Sequence, residues 1–125
     1  MSAEGDAGLL ARLRSDAQLA DAVFEGTVTN PPARYVSVFA PIGSDDSDRL
    51  GGPSNVNETT YTIHSVGRTV EQAKWAARRV QSLLTDYVIE DVGRLTHPVS
   101  IGPRLDRDAN PPLWFLVDQY DLTHS

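Results

Sequence analysis

Apolar residues at the start of the chain recur at helical spacing. Between residues 7 and 24 they lie three or four positions apart, which is typical of one face of an amphipathic helix. The face consists of Leu9, Leu10, Leu13, Ala17, Ala20 and Phe24. Ser15 and Asp16 could restart the helix as an N-cap, so a kink is expected there, and Gly26 ends it.

A second helix is predicted from residue 70 to about residue 86. Thr69 and Gln72 have the spacing of a capping box, in which each side chain bonds the backbone of the first turn. The apolar positions that follow form a stripe about 120° wide. They are Val70, Ala73, Ala76, Ala77, Val80, Leu83, Leu84 and Tyr87.

Several segments have the composition and alternation of β-strands. They are 34–40 (RYVSVFA), 59–66 (TTYTIHSV), a hairpin near Gly93 with strands around 87–92 and 94–101, and 113–124 (LWFLVDQYDLTH). In 59–66, Tyr61 and Ile63 share one face, while Thr62 and His64 share the other. In the last strand Asp118 interrupts a face made by Trp114, Leu116, Tyr120 and Leu122.

Two polar segments separate these elements. Residues 41–58 (PIGSDDSDRLGGPSNVNE) and 103–112 (PRLDRDANPP) are rich in Gly, Pro, Asn and Asp, which favours loops. Loops longer than about 12–15 residues are unusual in compact domains unless they are functional or mobile. We expect binding to order residues 43–57, with Arg49 and Leu50 as the anchoring side chains.

The order of elements predicts an α+β fold: a mostly antiparallel sheet with two helices packed on one face. The other face must then be solvated or covered by something else. The 125 residues correspond to a single domain, 1–125.

Composition narrows the classes of ligand. The net charge of −6 argues against nucleic acid as a main ligand, since phosphate contacts need a basic surface. There is no cysteine, which excludes disulfides and thiolate metal sites. The N-terminus lacks the pattern of a signal peptide, and no stretch approaches the ~20 apolar residues of a membrane span. We therefore expect a protein that is made in a reducing cytoplasm and does not associate with a membrane.

The glycine turn at Gly67, before the second helix, raises the question of a phosphate site. It matches neither the P-loop nor the dinucleotide pattern, and the capping box occupies the free N–H groups that an anion would bind. Gly67 is better interpreted as a bend between strand and helix. No nucleotide is expected here.

Other chemistry is equally unsupported. An EF-hand register starting at Asp46 places Leu50 and Asn57 at ligand positions, so calcium is not expected. His64, His97 and His124 fall on separate strands and form no zinc motif. We predict no catalytic residues, no cofactor, no metal site and no enzyme activity.

Trp75 is the most distinctive surface candidate. It lies about 140° from the centre of the apolar stripe, beside Arg78 and Arg79. An outward tryptophan with arginine neighbours is typical of a protein–protein hot spot. The alternative is that the ring packs against its own chain or along the arginine stems.

The layout also resembles the tail terminator (tail completion) proteins of long-tailed bacteriophages, closest to those from actinobacterial phages and prophages. The likeness covers nearly the whole chain. It rests on LLARLRSDAQLADAVF, RYVSVFA, SDRLGGPS, YTIHSVGRTVEQAKWAARRVQSLL and PPLWFLVDQYDLT.

The resemblance implies a non-enzymatic virion protein of the tail or neck, assembled in the host cytoplasm. Its partners would be copies of itself in a ring, usually a hexamer, the major tail tube protein, and the head–tail connector or stopper protein. DNA would pass through the lumen without specific binding. Another neck protein (a head–tail stopper or adaptor), a monomeric adaptor and a small metal-dependent hydrolase using Asp45, Asp46, Asp48 and a histidine remain alternatives.

Overall fold

A computed structural model describes residues 3–28, 32–40, 58–109 and 111–124. These residues form two α-helices, one short 3-10 helix and six strands. In chain order they are α1 (Ala3–Arg14), the 3-10 helix (Ala20–Ala22), β1 (Val23–Glu25), β2 (Arg34–Phe39), β3 (Glu58–Gly67), α2 (Val70–Leu84), β4 (Val88–Ile89), β5 (Gly93–Asp106) and β6 (Leu113–His124).

The six strands make one sheet in the order β1-β2-β3-β6-β5-β4. All neighbours are antiparallel except β1 and β2, which run parallel. The central pair, β3 and β6, stays in register from Glu58 opposite Thr123 to Gly67 opposite Trp114. The predicted α+β fold with a mostly antiparallel sheet is confirmed.

Both helices pack on the same face of the sheet, as predicted. One cluster of buried side chains joins α1, α2 and the strands beneath them. Its fully buried members include Leu9, Leu13, Val36, Tyr61, Ile63, Ala76, Val80, Leu84, Leu95, Tyr120 and Leu122. Burying this apolar area is the main force that holds the two layers together.

The start of α2 follows the predicted capping arrangement with one difference. The Thr69 hydroxyl accepts from the Gln72 amide at 3.1 Å, while the Gln72 side chain accepts from the Arg68 amide at 2.9 Å, one residue earlier than in a standard capping box. A Cβ on Gly67 would lie only 2.6 Å from the Cβ of Gln72. Glycine is therefore needed because the helix starts directly against the end of β3.

The predicted single helix over residues 7–24 is wrong beyond Arg14. The Ser15 hydroxyl bonds the Arg12 carbonyl at 2.6 Å, and an Asp16 carboxylate oxygen accepts from the Gln18 amide at 2.8 Å. Short polar side chains that bond their own backbone compete with helical hydrogen bonding. The chain turns, and residues 23–25 become strand β1.

The turn changes which residues of this segment are buried. Leu19 is buried there, whereas Ala17 and Ala20, which were expected on the apolar face, are exposed.

A hairpin forms near Gly93 as predicted, but its first strand is only Val88–Ile89 rather than 87–92, and its second strand is longer than expected. The turn is closed by the Val92 amide bonding the Ile89 carbonyl at 2.9 Å, with Asp91 in the left-handed region at φ 64°. β5 continues to Asp106, so residues 103–106 are strand rather than loop. Register shifts on either side of the 99–101 pairing let a Gly- and Pro-containing strand stay paired with β6.

Several predictions for the polar loop concern residues 41–57, which lie outside the described residues. They concern the acidic cluster at residues 45, 46 and 48, and the two anchors Arg49 and Leu50.

Candidate interaction surfaces

The face of the sheet opposite the helices carries a row of large side chains, which we call the open face. It is defined by Tyr35, Phe39, His64, Phe115, Val117 and Ile101. Strand alternation places them together: His64 pairs with Val117, and Val117 pairs with Ile101 on the next strand. Phe39 is 37% exposed and Ile101 41% exposed, and neither described helix lies on this side.

The aromatic residues of the open face contact each other across three strands. The His64 ring lies 4.8 Å from the Phe39 ring and 5.9 Å from the Phe115 ring, nearly parallel to the latter. Burial lowers the pKa of His64, so its imidazole is neutral at pH 7. The centre of the open face is therefore uncharged and aromatic. Such a surface suits contact with protein better than binding of an anion.

A shallow cleft of about 460 Å³ opens at one end of this face. Its walls include Tyr35, His64 and Phe115, with Asp106 at the rim. Burial and the nearby Asp106 carboxylate raise the pKa of Tyr35, so its hydroxyl stays protonated. Within the described ranges, no three His, Asp or Glu side chains are grouped to hold a metal ion.

A second surface lies on the helix layer, where Arg34, Trp75, Arg79 and Asp16 form what we call the Trp75 cluster. The guanidinium carbon of Arg34 is 3.8 Å from the centroid of the Trp75 ring, and that of Arg79 is 5.5 Å away. Arg79 donates from Nε and Nη2 to one Asp16 oxygen, at 2.8 and 2.5 Å. The ring therefore lies beside two cations.

The contacts of Asp16 determine whether its carboxyl group is ionised. Burial alone would raise the pKa of its carboxyl group, but the hydrogen bonds from the Gln18 and Leu19 amides and from Arg79, with the charge of Arg79, lower it overall. Asp16 is therefore ionised at neutral pH and pairs with Arg79.

Trp75 contacts its own chain more than its position on the helical wheel indicates. The ring is half-buried and packs against the core, which favours the second of the two interpretations of this residue. Arg78 is exposed, as expected, and Arg79 is engaged with Asp16. A partner for Trp75, Arg78 and Arg79 stays a prediction.

The three histidines lie on separate strands, β3, β5 and β6, as predicted. Sequence reasoning missed that His97 pairs with Asp118, Nε2 to Oδ1 at 2.9 Å, and stacks on the Tyr120 ring at 4.5 Å. Asp118 is completely buried, and its second oxygen has no hydrogen-bond partner among the described residues. Burial and the Asp118 charge raise the pKa of Tyr120. The signal was present: an aspartate inside an apolar face needs a buried partner.

Comparison with known proteins finds similarity among solved structures. No protein-family model matches the chain, and no curated protein matches it. A solved chain from the virion of a native gene transfer agent particle has a similar fold, with a TM-score of 0.60 and 20% sequence identity. The similarity covers 94% of this chain and 92% of that one, so the two folds correspond over almost their full length. None of the helices described here is long and apolar enough to cross a bilayer.

Proposed function

We propose that this protein is a structural component of a phage-like virion. It forms a ring on the end of the tail tube, stops tube growth and joins the tail to the head connector. The observation that carries the proposal is the fold shared with a virion chain over 94% of this sequence. The tail terminator role rests on the sequence resemblance, which covers the same elements.

The open face supports a role in assembly. An uncharged aromatic row on a sheet face, with Phe39 and Ile101 exposed, is the kind of patch that proteins cover with other proteins. In the proposed assembly this face contacts a protein neighbour, such as the tube or the connector.

The nearest alternative is another neck protein, a head–tail stopper or adaptor. It would share the fold and the ring but would not control tube length. The metal-dependent hydrolase depends on residues outside the described ranges and has no support from the clusters around His64 and His97.

Tube growth in vitro tests the proposal. Major tail tube protein is polymerised with and without this protein, and tube length and end structure are measured by electron microscopy. We expect a cap at one end and a fixed length. Ile101→Asp should abolish capping, because it places a charge on the open face. Ala11→Asp adds the same charge at an exposed position of α1 and serves as the matched control.

The outcomes separate the candidates. Tubes that grow unchanged in the presence of well-folded protein overturn the terminator role. Binding to the connector without any effect on tube length would instead indicate a stopper or adaptor. Equal capping by Ile101→Asp and Ala11→Asp would remove the open face from the contact.

A further inference from the structure

The Trp75 cluster contains two arginines in different states. Arg79 is paired with the Asp16 carboxylate, whose side chain is only 7% exposed. Arg34 lies 3.8 Å above the same ring but makes no hydrogen bond or ion pair in the part of the chain described. Two exposed basic residues are close to it along the chain: Arg68 follows the partner of Arg34 in β3, and Arg78 comes one turn after Trp75 on α2. Glu71 is the exposed acidic residue of α2. A protein with a net charge of −6 thus concentrates positive charge here.

Stacking prepares Arg34 to bind a carboxylate. A guanidinium lying over an aromatic ring keeps its N–H edge free, and that edge matches a carboxylate in a planar, bidentate arrangement. The ring also holds the side chain in place, so little conformational entropy is lost on binding. Arg79, the other arginine beside this ring, already binds a carboxylate, that of Asp16.

An acidic counterpart lies at the far edge of the same sheet. The segment around β4 exposes three carboxylates, Asp86, Glu90 and Asp91, together with Val88, which is 51% exposed. Arg94 is the basic residue of this hairpin, and its Nη1 donates to the Asp86 carbonyl at 3.4 Å rather than to a carboxylate. We call residues 86–91 the acidic hairpin.

The two patches point to contact between copies. β1 and β4 are the opposite edges of the sheet, about 24 Å apart at ~4.8 Å for each of five strand spacings. The Trp75 cluster lies toward the β1–β2 side, since Arg34 begins β2, and the acidic hairpin lies at β4. One molecule cannot bring them together, but two molecules side by side can.

We propose that the Trp75 cluster of one copy binds the acidic hairpin of the next, with Arg34 bonded to a hairpin carboxylate and Val88 near the Trp75 ring. This names the subunit contact of the ring, and so rests on the proposed function. A contact between two different patches repeats around a closed ring, as cyclic symmetry requires. Complementary charge sets the register and the order of the subunits.

Charge exchange between variants tests the contact. Arg34→Glu and Glu90→Arg each place like charges in every contact, so each alone should weaken self-association about 30-fold or more. An equimolar mixture should assemble, because alternating copies restore opposite charges at every contact. Lys74→Glu reverses a charge on the other flank of α2 and is the matched control. Sedimentation at several protein concentrations, with and without tail tubes, measures assembly.

A second variant guards against misfolding. Arg34→Lys keeps the charge but loses the planar N–H edge, and should bind less tightly than wild type with an unchanged melting temperature. Wild-type association should also fall with added salt.

Each outcome either supports or overturns the proposed contact between the Trp75 cluster and the acidic hairpin. Failure of the mixed variants to assemble, full assembly by Arg34→Glu, or a wild type that never associates overturns the contact. Tubes that cap normally with Arg34→Glu overturn it while leaving the proposed function intact. Arg34-dependent association without any capping of tubes would support the contact and overturn the terminator role.

Discussion

The two faces of the sheet are built by the same strands but meet different surroundings. On the helix face, Tyr61, Ile63 and Leu95 are completely buried under α1 and α2. On the open face, Phe39 and Ile101 keep more than a third of their surface in solvent. Both faces carry large apolar side chains, but helices cover only one of them. The residues of the covered face stabilise the fold, and those of the other face are available to a partner.

The largest expected effect comes from placing a charge on each face of β5. Leu95→Asp buries an unpaired carboxylate in the core and should cost about 4 kcal/mol or more, enough to unfold a small domain. Ile101→Asp, on the open face of the same strand, should change the free energy of unfolding by about 0.5 kcal/mol or less. Urea unfolding of both variants measures the contrast. Similar losses in the two would mean that the open face is also part of the core.

The next effect concerns the His97–Asp118 pair, a buried polar contact on the helix face. His97→Ala leaves a buried carboxylate without its hydrogen bond and should cost about 1–3 kcal/mol. Thr96→Ala, at the exposed neighbouring residue, is the control. The double variant His97→Ala/Asp118→Leu should recover much of the loss, since it removes the orphaned group as well. A double variant no more stable than His97→Ala would show that the pair contributes through packing alone.

Trp75 is half-buried, so its replacement should change the free energy of unfolding by an amount between those of the core and the exposed substitutions. Trp75→Ala removes a half-buried ring and its contact with Arg34, so we expect a loss of about 1–2 kcal/mol in thermal unfolding. Arg78→Ala, at an exposed position one turn later, should change stability little. If Trp75→Ala melts with wild type, the ring adds nothing to the monomer and its only role is with a partner.

The smallest effect concerns the Asp16–Arg79 pair and depends on pH. Because the folded state lowers the pKa of Asp16, ionisation of Asp16 stabilises the protein above about pH 4, its unfolded pKa. This contribution disappears as pH falls through the lower folded pKa. Asp16→Asn should thus cost about 1 kcal/mol or less at pH 7, with the difference from wild type shrinking below pH 4.

Denaturant unfolding at several pH values measures the pH dependence of the Asp16–Arg79 pair. Asp21→Asn controls for the loss of one exposed negative charge. A gap between wild type and Asp16→Asn that widens on acidification would contradict the pairing.

Hydrophobic spacing correctly predicts those helices and strands in which the apolar positions of the sequence are also the positions buried in the fold. The alternation of residues 59–66 places Tyr61 and Ile63 correctly, because β3 is central and one of its faces is fully covered. The stripe of α2 is also correct, since Ala73, Ala76, Ala77, Val80 and Leu84 are all buried against the sheet.

The same spacing fails where short-range hydrogen bonds or strand pairing decide the structure. Helical periodicity runs through Ser15 and Asp16, but their side chains bond the local backbone and end α1. Gly102 and Pro103 favour a loop, yet the pairing of Ile101 and Arg104 with β6 keeps them within β5. The contact of Arg34 with Trp75 joins residues far apart in the sequence, so no local pattern could predict it.

The shortness of the edge strand β4 has a consequence for aggregation. β4 has two residues and pairs only with Gly93 and Arg94, so most of the fourteen-residue β5 has no strand beside it on that side among the described residues. A long exposed edge is a template on which further strands add, and growth by that route ends in fibres. Pro98 and Pro103, which have no N–H, and the two register shifts of β5 interrupt its free edge, and this hinders such growth. Contact between copies through side chains, as proposed above, can by contrast stop at a finite size.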